Sequence, residues 1–134
     1  MRTIVLKSMI MVAAFVCCMS CSDDENGDVR DAFVGSYRIE ETAIVDGLEY
    51  KDNYNITIVK SSVSNTDIVI SNILNTGASV NATVSGVNFN IQQQTINSAG
   101  VNGSGRLEGT LIRFSVLVTQ PNGLVNFTCE GPKQ

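Results

Sequence analysis

The sequence predicts an all-β domain of about eight short antiparallel strands, a meander closing into a small barrel, after an N-terminal export segment. Three observations lead there. From Ala32 onward, apolar residues recur at every second position, the period of a strand buried on one face. Turn-forming pairs interrupt this alternation at short intervals, as in all-β meanders and barrels. No window of helical length carries a 3.6-residue apolar stripe with caps. Composition agrees: charged residues make up 16% and aromatics 6% of the 134 residues, while Asn, Ser, Thr, Val and Ile recur as short strands and polar turns require.

Residues 1–20 have the layout of a signal peptide. Arg2 and Lys7 precede an apolar run, Ser8-Met9-Ile10-Met11-Val12-Ala13-Ala14-Phe15-Val16, and small residues follow. The run is shorter than the ~20 residues a membrane-spanning helix needs. Its end, Cys18-Met19-Ser20-Cys21, resembles a bacterial lipobox, with small Ser20 directly before the cysteine. That resemblance implies cleavage before Cys21, a palmitate-type acyl anchor on it, and a membrane partner reached through lipid. Several buried chains hold such an anchor firmly, at about 0.8 kcal/mol per CH₂. The alternative is an ordinary cleaved signal peptide.

Residues 21–31 read as the lipidated cysteine and an acidic flexible tether. Ser22-Asp23-Asp24-Glu25-Asn26-Gly27-Asp28 has little apolar surface to bury. The run resembles the acidic motif behind the lipid cysteine of Bacteroidetes-type lipoproteins, which implies display at the cell surface on the outer membrane; a plain periplasm-facing spacer is the alternative. Removing residues 1–20 discards the positive charges of Arg2 and Lys7 and shifts the net charge from −4 to −6. An acidic chain without a basic patch argues against nucleic-acid binding, which needs clustered Lys and Arg.

The barrel domain is assigned to residues 32–134. Phe33, Gly35, Tyr37 and Ile39 share one face of the first strand, opposite Val34, Ser36, Arg38 and Glu40. After an Asp46-Gly47 turn, Tyr54, Ile56 and Ile58 alternate with Asn55, Thr57 and Val59. Ile68 and Ile70 mark a third strand, and Val80, Ala82 and Val84 a fourth. Ser85-Gly86 fits a two-residue hairpin, followed by Val87, Phe89 and Ile91. Val101, Gly103, Gly105 and Leu107 form a strand weakened, bent or bulged by glycine. A Glu108-Gly109 turn leads to Ile112, Phe114, Val116 and Val118; Pro121-Asn122-Gly123 leads to Val125, Phe127 and Cys129.

Several of these segments carry a family likeness. Phe33-Val34-Gly35-Ser36-Tyr37 resembles the opening of lipocalin-like and calycin-like barrels, and Tyr54-Asn55-Ile56-Thr57-Ile58 the strand that follows it. Gly103 to Phe114 is similar to the penultimate hairpin, and Phe127-Thr128-Cys129-Glu130-Gly131 to the closing strand, of calycin-like domains in small Bacteroidetes-type lipoproteins. The resemblance spans most of residues 32–134. It implies an eight-stranded calycin-like barrel and no catalytic chemistry.

The search for chemistry on the residues themselves agrees. The chain contains no His, so no Ser-His or Cys-His pair can form. Lys51, Lys60 and Lys133 have no Ser singled out by spacing. Glu40 and Glu41 point to opposite faces of a strand, and Asp46, Glu49 and Asp52 decorate a loop, with weak calcium binding the lesser reading. No cofactor is expected. Cys129 reads as a small buried hydrophobe. Tyr37, Tyr54, Phe89, Phe114 and Phe127 all fall on inner faces, where they pack a core or, in a hollow barrel, line a cavity.

The expected function is therefore non-enzymatic. The leading expectation is a membrane-anchored envelope module that binds a small apolar or glycan ligand. The alternative is a structural or interaction protein of the cell surface, acting on an unknown protein partner through an outer face such as Leu111 and Leu117 beside Arg113. A hydrolase ranks last.

Overall fold

The computed structural model describes residues 27–134; the expected signal peptide at residues 1–20, Cys21 and the acidic run up to Asn26 lie outside the described residues. Eight strands follow one another: β1 (Gly35–Val45), β2 (Leu48–Lys60), β3 (Asp67–Ser71), β4 (Ser79–Ser85), β5 (Asn88–Ile96), β6 (Ala99–Glu108), β7 (Leu111–Gln120) and β8 (Gly123–Pro132). Each pairs antiparallel with the next, and β8 returns to pair with β1, so the sheet closes into a barrel. The predicted fold class is the observed one.

The period-two alternation sets the inside. Tyr37, Ile39, Tyr54, Ile56, Ile58, Ile68 and Ile70 point inward from the first three strands and join Val80, Ala82, Val84, Phe89, Ile91, Ile112, Phe114 and Val116 in a single buried cluster. Phe33 meets Phe89 edge-on at 5.7 Å between ring centroids, and Phe89 lies 6.0 Å from Phe114. The outward rows carry Ser36, Arg38, Thr57, Asn81, Ser104, Arg113, Thr128 and Glu130. A wall polar outside and apolar inside faces water, the reverse of a lipid-embedded barrel.

Glycines on β6 and β8 let strands approach. A Cβ at Gly103 would stand 2.0 Å from the Ser115 carbonyl oxygen, and one at Gly105 would meet the Phe89 ring at 2.6 Å. β6 thus lacks inward side chains where Phe89 and Phe114 fill the space. At Gly131, where β8 crosses β1, a Cβ would stand 1.7 Å from the Arg38 carbonyl oxygen.

Four local assignments need correction. First, residues 28–31, assigned by sequence to the tether, fold onto the barrel. Val29–Ala32 form a 3₁₀ turn capped by Asp28. Arg30 is buried: its guanidinium pairs with Asp28 at 2.6 Å and donates to the Ser64 and Asp67 carbonyls at 2.8 and 3.0 Å. A charge with this many partners can leave water, which composition alone does not reveal.

Second, the turns after β4 and β6 sit one residue later than expected, at Gly86-Val87 and Gly109-Thr110, because each glycine takes the first turn position with positive φ. Third, Val87 therefore lies in the turn and is 51% exposed, not on the inner face with Phe89. Fourth, β5 runs on to Ile96 through a register shift between Ile91 and Gln94, then turns at Asn97-Ser98, both at positive φ. The irregularity switches the inward phase from Phe89 and Ile91 to Ile96, which simple alternation misses.

The close approaches make a discriminating prediction. Gly103→Ala and Gly131→Ala should each lower stability by about 1–3 kcal/mol or more, because backbone must move. Gly100→Ala should stay within about 0.5 kcal/mol, since its Cβ meets only the flexible end of Gln93. Urea unfolding of the three variants checks the contrast.

Candidate functional site at the open end of the barrel

The two ends of the barrel differ. One is closed by the 3₁₀ turn. Phe33 is fully buried there and its carbonyl accepts from the Tyr37 hydroxyl at 2.7 Å. Lys133 donates to the Ala32 carbonyl at 2.9 Å and lies 5.7 Å from the Tyr37 ring centroid. Asp28 gathers both Arg30 and Lys60. Its hydrogen bonds from Arg30 hold its carboxyl down at about 2.

The opposite end carries an opening of about 230 Å³, walled by Leu74, Ile96, Ala99, Val101, Val118 and Phe127. Thr76, Asn97 and Gln120 form its polar rim. β5, β6, β7 and β8 supply the wall, and the β3–β4 loop supplies Leu74. That loop takes an unusual path. Asn72, Leu74 and Asn75 all have positive φ, 63°, 53° and 58°, which costs a branched residue such as Leu about 1–2 kcal/mol. Local bonds hold it: Thr76 Oγ1 donates to the Ile73 carbonyl at 2.6 Å, and Gly77 N donates to Asn72 Oδ1 at 2.8 Å. Buried Ile73 anchors the loop, and the strained residue beside it presents its side chain to the opening.

Two residues deeper than Phe127 along β8 lies Cys129, and with it the polar part of the interior. The Tyr54 hydroxyl donates to Glu41 Oε1 at 2.5 Å and lies 3.7 Å from Cys129 Sγ, which is itself 4.0 Å from Glu41 Oε1. Glu41 is 8% exposed, Tyr54 5% and Cys129 fully buried. Burial pushes the Glu41 carboxyl above its ordinary range; the Tyr54 hydrogen bond opposes this and the charge of Asp52 adds to it. Asp52 is the cross-strand partner of Glu41 on the same face. Burial likewise pushes Tyr54 up, and the Cys129 thiol up to about 12. At neutral pH Cys129 is a thiol, without the thiolate character a nucleophile needs. The three side chains form one hydrogen-bonded polar cluster in an otherwise apolar interior.

Of the residues expected on inner faces, Tyr37, Tyr54, Phe89 and Phe114 belong to the packed cluster, and Phe127 lines the opening. In the sequence Glu41 is set on the face opposite Glu40 without being singled out as interior, and Leu74 and Ile96 are not singled out. Glu41 was within reach: continuing the Tyr37-Ile39 alternation by one step puts it inside. Leu74 and Ile96 depend on the loop geometry and the β5 irregularity. Leu111 and Leu117 lie toward opposite ends of β7, separated by Arg113 and Ser115, and form no continuous patch. Asp46 occupies the β1–β2 turn, whereas Glu49 and Asp52 stand on strand β2 and not in the expected loop, and among the described residues no three acids or cysteines converge as metal ligands.

A larger, shallower groove of about 500 Å³ crosses the outside of β5–β8, among Asn88, Ser104, Arg106, Arg113 and Thr128. Glu108 bridges Arg106 and Arg113 at 3.3 Å each, and Arg113 also meets Glu130 at 3.5 Å. These half-exposed pairs are water-screened and contribute little. No protein-family model matches this chain, and no curated protein does.

The raised Glu41 carboxyl gives a signed pH effect. The native state holds this proton more tightly than the unfolded chain does. Its stabilisation is complete below the unfolded value of 4.5 and is lost as pH rises through the folded value. Glu41→Gln should therefore raise the thermal midpoint near pH 7.5, with the advantage shrinking toward about pH 4. Paired melts of wild type and variant across that range check the sign.

Proposed function

We propose that this chain is a lipid-anchored protein of the cell envelope whose barrel is a non-enzymatic binding or accessory module, taking a small apolar ligand, or the apolar end of a larger one, at its open mouth. The observation that carries the reading is the asymmetry of the barrel. One end is sealed by Phe33 and Arg30, while the other opens into a pocket walled by Leu74, Ile96, Val118 and Phe127 behind a rim of Asn97 and Gln120. An apolar pocket with a few polar rim groups is the usual form of a ligand site. At about 230 Å³ it falls below the roughly 300–1,000 Å³ of pockets that engulf a drug-sized molecule, which favours a chain tip over a whole lipid or an oligosaccharide. The signal peptide, the lipobox at Cys21 and the acidic run behind it support the envelope address and outward display.

A second reading, an interaction protein of the cell surface, draws support from the apolar residues exposed on the β1–β2 hairpin, Ile44, Leu48 and Tyr50.

Titration of residues 27–134 with a fluorescent medium-chain fatty acid, alongside native mass spectrometry, tests the mouth. Saturable binding is expected, weakened about tenfold or more by Phe127→Ser, which removes apolar wall worth roughly 1.5–3 kcal/mol when covered. Absence of binding, or equal binding by a Phe127→Ser variant with unchanged circular dichroism, would remove the mouth as the site.

A further inference from the structure

We propose that the protein self-associates through the free edge of β2, a second copy adding its own β2 antiparallel about a two-fold axis at Tyr50. β2 pairs with β1 along nearly its whole length but with β3 only from Thr57 to Lys60. The β3–β4 loop covers part of the remaining edge: Asn72 Nδ2 donates to the Asn55 carbonyl at 2.9 Å, and Asn75 reaches the Asp52 carboxylate at 3.2 Å. Among the described residues Leu48 to Lys51 have no strand neighbour on that side, and all four are exposed.

Hairpin geometry fixes what this edge presents. Asp46-Gly47 is a two-residue loop, so Val45 and Leu48 exchange both main-chain bonds. Even-numbered residues of β2 then bond to β1, and Glu49 and Lys51 direct their N–H and C=O groups outward. The Asn72 bond to odd-numbered Asn55 agrees with this parity.

Edge strands commonly carry charge that discourages pairing. Here the charges select one register. Centring the two-fold on Glu49 sets Glu opposite Glu, and centring it on Lys51 sets Lys opposite Lys; both are repulsive. Centring it on Tyr50 sets Glu49 of each copy opposite Lys51 of the other, at the hydrogen-bonded positions. Tyr50 then faces its own symmetry mate at the narrow, non-hydrogen-bonded position, where side chains come closest. Leu48 and Tyr50, 61% and 54% exposed in the single barrel, gain a partner in the resulting four-stranded sheet. The edge is short, with about four main-chain bonds and less than the roughly 1,000 Å² of a stable interface. The dimer is therefore weak and concentration-dependent.

Sedimentation velocity of residues 27–134, which contain every strand of the barrel, tests this from about 5 µM to about 1 mM, the range in which a weak pair forms. Dimer is expected in the upper part. Lys51→Glu and Glu49→Lys should each weaken it about tenfold or more, and the combined swap should restore it, because the charges are again opposite. Under mild oxidation Tyr50→Cys should cross-link, since Cα atoms of such a pair lie about 4.5 Å apart, within disulfide reach. A monomer throughout with no Tyr50→Cys cross-link, single reversals that dimerise like wild type, or a double swap that fails to restore the dimer would overturn the proposal.

Discussion

The closure of β8 onto β1 is the constraint on which the rest of this structure depends. A ladder of four residue pairs, from Glu40–Glu130 to Ala43–Phe127, makes it, extended in the same register by a Tyr37–Lys133 bridge and a bond from Gln134 N to the Ser36 carbonyl. They convert an open meander with two edges into a wall with one inside, and full closure is what removes sheet edges. The seam forms because Gly131 lets β8 pass against the β1 backbone at Arg38, where any side chain would collide. β8 ends at Pro132, and the next residue, Lys133, bridges Tyr37 on β1 while its ammonium ties down the 3₁₀ turn. Above the seam, β1 and β2 run on as a hairpin no longer paired to β8. The sealed end, the open end and the unpaired arm all follow from where this β1–β8 pairing starts and stops.

The same seam explains the polar trio within an otherwise apolar interior. Glu41 and Cys129 are cross-strand partners on it, and Tyr54 reaches both from β2. A buried carboxylic acid without a partner is costly. The Tyr54 hydroxyl, 2.5 Å away on the neighbouring strand β2, supplies that partner, and the Cys129 thiol closes over both from across the seam. Such groups contribute more to a unique pairing than to stability. In this barrel the contacts of Cys129 with Tyr54 and Glu41 are the ones that cross the β1–β8 seam, and a one-residue slip of β8 would turn Cys129 to the outside and lose them.

Much of the fold was legible in the sequence because its alternation is strict. Tyr37-Ile39, Tyr54-Ile56-Ile58, Ile68-Ile70, Val80-Ala82-Val84 and Ile112 to Val118 all point inward as the period predicts. The misses fall where something other than alternation decides. Gly86 and Gly109 take positive φ at the first turn position and move each turn by one residue. The β5 irregularity reverses phase before Ile96. Arg30 is buried through three-dimensional partners 31 to 37 residues away, and no local pattern announces that. The candidate site was less legible than the fold. Phe127 stood out by phase, but the opening it lines exists because Leu74 sits on a left-handed loop and Ile96 follows a phase change. Neither feature has a period to read.

The most direct test of this account is an NMR measurement of cross-strand contacts on residues 27–134. Nuclear Overhauser effects should link the Hα protons of Glu41 and Cys129, and of Ala43 and Phe127, with strength comparable to contacts between β7 and β8. Their absence while the β7–β8 contacts persist would show an open sheet. The sealed end, the apolar mouth and the assignment of an interior would then all fail together.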